Sequence, residues 1–133
     1  MINEFVKAWD KNKGSLKNFL ALQDQDDFSY KFLVEAVIRE VINHGEITLD
    51  ESALTEIDNG DYQGTLLFVV PVDTYQPSVD QYYYTNVYYG SCSGCDTLQG
   101  IHNYDNGKPD EDQLKDYMSL CLHILQKFKK MGE

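Results

Sequence analysis

ALTEIDNGDYQGTLLFVVPV, residues Ala53–Val72, reads as the hairpin around which the rest of the chain must pack. Its Asn59-Gly60 pair is the strongest short hairpin signal a sequence carries, because both residue types tolerate the positive φ that a tight hairpin turn needs. The apolar run from Thr65 to Val70, stopped by Pro71, then reads as a strand at the centre of a sheet. After a polar loop, DTYQPS, the stretch QYYYTNVYY (81–89) has the aromatic and β-branched content of a third strand. Three strands joined this way make a small, mostly antiparallel sheet.

Helical periodicity brackets that sheet. Ile2, Phe5, Val6 and Trp9 recur at helical spacing, and Gly14 breaks the pattern before a second short segment, SLKNFLALQ, so an N-terminal helix pair is expected. A longer helix is expected from Asp27, which can cap it, to Gly45, which can end it in a left-handed conformation. Tyr30, Leu33, Val34, Val37, Ile38 and Val41 form its apolar stripe, opposite Lys31, Glu35 and Arg39. At the other end, Asp110 and Gln113 have the spacing of a capping box for a last helix that ends in KFKKMG. Its stripe runs through Leu114, Tyr117, Met118, Cys121, Ile124, Leu125 and Phe128. The reading is a single α+β domain over residues 1–133, with four to five helices packed on one face of a three-stranded sheet. Residues 1–45 form the helical N-terminal part, 46–90 the sheet, and 91–133 a turn and the C-terminal helices.

Composition narrows the function classes. The chain of 133 residues carries 22 acidic and 11 basic residues, a formal net charge of −11, which opposes direct binding to a nucleic acid backbone. Acidity of this kind keeps a small protein soluble, and also permits a DNA-mimic inhibitor. No apolar stretch is long enough to span a bilayer, and MINEFVKAWDKNKG lacks the apolar core of a secretion signal, so no membrane association and a cytoplasmic setting are expected. Three cysteines, an odd number, fit reduced thiols better than a disulfide framework.

Two features stand out as candidate sites. Six of the ten tyrosines lie between Tyr75 and Tyr89, and strand alternation puts Tyr82, Tyr84 and Tyr88 on one face with Tyr83 and Tyr89 on the other. Tyrosine suits an interface, since a rigid ring brings contact area and its hydroxyl tolerates water; an ordinary sheet with aromatic cross-strand pairs is the competing reading. The second feature is YYGSCSGCDTLQG (88–100), in which Cys92 and Cys95 precede a helix start near residue 96, capped by Asp96 with Gln99 three positions on. The pair could clamp zinc with His102 as third ligand and Cys121, His44 or Asp96 as fourth, or it could be a redox dithiol. The leading reading is a tight turn of small residues, with no cofactor. His123 falls on the polar face of the last helix.

The segments DYQGTLLFVVP, TYQPS, YYGSCSGCDTLQGI and DYMSLCLHILQK together resemble a family of small uncharacterised proteins encoded by bacteriophages and prophage-bearing bacteria, over roughly the last 75 residues, well within one domain's length. The resemblance implies a phage origin and a host cytoplasmic setting, and it carries no activity. Taken together, these readings lead to an accessory protein that binds a host or phage protein, in anti-defence or host takeover. A thiol- or metal-dependent small enzyme is the alternative, and a homo-oligomer is open.

Overall fold

The computed structural model describes residues 2–60, 64–90, 96–103 and 106–132. Among these described residues, four α-helices and four strands follow one another as α1 (Asn3–Ala21), α2 (Tyr30–Glu40), β1 (Thr55–Gly60), β2 (Gly64–Pro71), β3 (Tyr82–Tyr89), α3 (Thr97–His102), α4 (Glu111–Gln126) and β4 (Lys129–Lys130). The strands form one antiparallel meander in the order β1-β2-β3-β4, with the helices on one face, so the α+β reading holds.

The fourth strand corrects the three-strand reading. KFKKMG does not finish the last helix: α4 stops at Gln126, Phe128 plunges into the core, and Lys129 and Lys130 pair with Tyr84 and Tyr83. Burying one large ring fixes the chain direction there, and the two residues after it meet the open edge of β3. The N-terminal helix pair is likewise one helix. Phe5, Ala8, Trp9, Leu16 and Leu20 continue a single buried stripe through Gly14, and this packing outweighs the cost of about 1 kcal/mol that glycine carries in a helix.

The start of α2 is capped by Ser29, whose Oγ accepts from the Phe32 amide at 3.0 Å, and not by Asp27, which belongs to a preceding 3-10 turn capped by Asp24. Nor does Gly45 adopt the left-handed conformation: its φ is −100°, and its role is closeness, since a Cβ there would lie 3.2 Å from Ala8 Cβ. The hairpin between β1 and β2 forms, but Asn59-Gly60 ends β1 instead of making the turn. Gly60 pairs with Gly64, where a Cβ would lie 2.6 Å from the Asn59 carbonyl oxygen, and the connection 61–63 lies outside the described residues.

The inner face of the sheet presents Phe68, Val70, Tyr83, Thr85 and Val87, all buried beneath the helices. Phe5 of α1 packs its ring 5.4 Å from Tyr83 and 5.5 Å from Phe128. Thr85, a buried hydroxyl in this apolar layer, donates to the Ile124 carbonyl of α4 at 2.8 Å, which removes the penalty of burying it. Phe28 meets Tyr117 edge to face at 4.8 Å, closing the core at its other end.

Candidate functional site

Strand register sorts the tyrosines. Tyr83 and Tyr89 lie on the inner face, in the rows of Val70 and Gly64, while Tyr82, Tyr84 and Tyr88 lie on the outer face in the rows of Pro71, Val69 and Thr65. Ile57 and Leu67 share that outer face one row away. A half-covered antiparallel sheet ordinarily turns polar side chains outward. Here Leu67, Val69, Tyr82 and Tyr84 are only partly covered, and Tyr88 and Ile57 are 59% and 47% exposed. Ile57, Leu67, Val69, Tyr82, Tyr84 and Tyr88 belong neither to the buried core nor to the partly buried side chains packed against it. Leu67, Val69 and Ile57 extend the tyrosine patch beyond what sequence singled out. The run Thr65–Val70 did carry the signal, because a strand apolar at every position has two apolar faces.

The second candidate lies at the far end of β3. Cys92 and Cys95 lie outside the described residues, but both borders of their segment are fixed by one side chain. Asp96, 6% exposed, accepts from the Gly90 amide at 2.9 Å through Oδ2, and from the Tyr30 hydroxyl at 2.8 Å and the Gln99 amide at 3.1 Å through Oδ1. Tyr30 in turn accepts from the Leu98 amide at 3.1 Å, and burial pushes its hydroxyl pKa up. Asp96 therefore does what the spacing to Gln99 predicts, capping α3, and also clasps the end of β3 and the start of α2. Sequence reasoning missed Tyr30's part, since its place in an apolar helical stripe reads as core.

Beside this clasp opens a cavity of about 360 Å³, walled by Glu56 and Asp58 on one side and by Ser29, Tyr30 and Asp96 on the other. Asp58 accepts from the Tyr89 hydroxyl at 2.6 Å, so Tyr89 is tied to the hairpin and is not part of the outer patch. The remaining metal candidates are dispersed in role. His102 Nε2 lies 3.2 Å from Asp26 Oδ1, without the alignment of a hydrogen bond. Cys121 is fully buried, and burial pushes its thiol up to about 12, which keeps it protonated. His44 is exposed at the end of a 3-10 turn, and His123 is exposed on α4. Among the described residues, no group of three or more His, Cys, Asp or Glu side chains is placed to hold a metal ion.

Comparison with known proteins returns no matching family model, no matching curated sequence and no matching solved structure. No helix among the described residues is long and apolar enough to cross a membrane.

Proposed function

We propose that the protein acts by binding a basic protein surface through the outer face of its sheet, as a phage-type accessory protein directed at a host or phage protein. The observation that carries this reading is the open apolar face formed by Ile57, Leu67, Val69, Tyr82, Tyr84 and Tyr88. Leaving such a face in water forgoes burial worth about 25 cal/mol per Å², so a covering partner is favoured. Charge selects the kind of partner. At a net charge of −11 a second copy is repelled over long range, whereas a basic protein is steered in.

The test replaces Tyr82, Tyr84 and Tyr88 together with serine. A partner captured by the wild-type protein from a bacterial lysate, and then purified, should bind it directly, bind the triple variant at least tenfold more weakly, and lose affinity as salt rises. The triple variant itself should stay folded, because these rings lie outside the core. A purified partner that binds both proteins equally would remove the sheet face from the function.

A further inference from the structure

A groove of about 570 Å³ runs between α1 and α4, away from the sheet. Phe5, near the start of α1, touches Phe128, just past the end of α4, so the two helices run antiparallel. One end of the groove is therefore lined by Trp9 and Leu122, its middle by Gly14 and Met118, and its other end by Lys17 and Lys115. Trp9 is only 7% exposed, and Met118 and Leu122 are partly buried against the core, so the floor is apolar.

Three observations here are unexplained by the fold alone. Gly14 sits mid-helix at a cost of about 1 kcal/mol relative to alanine, yet a Cβ there would meet nothing within 4 Å. Its effect is to leave the middle of the groove open. Second, the rim gathers Lys13, Lys17 and Lys115 in a chain where acids outnumber bases two to one. Third, none of these lysines has an ion-pair partner among the described residues, although Glu111 and Asp112 of the first turn of α4 also border the groove. From Trp9 to Lys17 the helix rises about 12 Å, an apolar track that ends where Lys17 and Lys115 stand beside Glu111 and Asp112.

We propose that this groove binds a single-chain amphiphile with an anionic head, of the medium-chain fatty acid class. The head lies between Lys17 and Lys115, and the chain runs past Gly14 and Met118 to Trp9 and Leu122. A cavity of this size with an apolar floor and a few charged side chains on its rim has the general form of a small-ligand site. Head binding is charge-assisted, with Glu111 and Asp112 moderating it.

Trp9 is the single tryptophan, which makes the test direct. Titration with ω-bromoundecanoate, below the concentration at which it forms micelles, should quench Trp9 fluorescence saturably, because the bromine is carried to the Trp9 end. The uncharged methyl ester and the Lys17→Glu/Lys115→Glu variant should each bind about tenfold more weakly, two charge contacts being lost or reversed. Gly14→Leu should fill the groove and abolish quenching while the thermal midpoint is kept or raised; Ser119, which also lines the groove, from α4, gives a second filling variant, Ser119→Leu, that serves if the first fails to fold. Quenching that does not saturate, that is equal for acid and ester, or that persists in a folded groove-filled variant overturns the proposal.

Discussion

Asp96 shows how much one carboxylate can organise when sequence places it at a helix start. It holds Gly90, Tyr30 and Gln99 at once, and a truncation strands three donors in a buried setting. Asp96→Ala should cost about 3 kcal/mol, the upper part of the single-substitution range, in urea unfolding. Tyr30→Phe removes one of those bonds and leaves the Leu98 amide without its acceptor, so about 1–2 kcal/mol is expected. The two losses should sum to more than the double variant shows, because they share a bond. Alkaline pH strikes the same residue class. Tyr30 and Cys121 both keep their protons in the folded protein above the pH at which the unfolded chain releases them. Around pH 9.0, where a free thiol is half ionised, the unfolded state binds fewer protons and stability falls, continuing until the buried Cys121 thiol itself titrates at about 12. Urea midpoints should drop between these pH values, and less steeply in Cys121→Ala; an equal slope in that variant would assign the loss elsewhere.

At the scale of elements, the passage from β3 to α3 bears on the two cysteines most directly. Because Asp96 ties Gly90 to the first turn of α3, the ends of the segment are closed by an acid–amide contact, independently of any sulfur. Changing Cys92 and Cys95 together to serine should thus keep the fold within about 1 kcal/mol, the common size of a substitution's effect. Near-stoichiometric zinc in the purified protein, with unfolding on chelation, is the result that would replace the turn reading by a metal site. What sequence revealed and what it hid divide along a physical line. The capping box at Asp110 and the cap at Asp96 are local, made within four residues, and were legible. The passage of α1 through Gly14 depends on Leu16 and Leu20 finding the same core as Phe5, and β4 depends on Phe128 turning inward, which are tertiary facts. The split of the tyrosines was legible because alternation fixes it, but which face the helices would cover was not, since β2 is apolar on both sides.

Across the whole molecule, one apolar sheet face and an overall charge of −11 oppose each other, and ionic strength decides between them. Two copies meeting through Tyr82, Tyr84 and Tyr88 would bury apolar area but bring like charges together. At about 0.01 M salt the Debye length is about 30 Å, so the repulsion acts before contact, and at about 1 M it shrinks to about 3 Å. Sedimentation velocity should therefore find a monomer at low salt, with self-association rising as salt is added. The tyrosine-to-serine triple variant should stay monomeric throughout. Binding to a basic partner must show the opposite slope, strongest at low salt, because there the same charge attracts. The pair of slopes distinguishes the occupants of one face without knowledge of the partner's identity. A dimer that is stable at low salt and indifferent to ionic strength would mean that contact area overrides charge, and the face would then belong to a second copy of this chain.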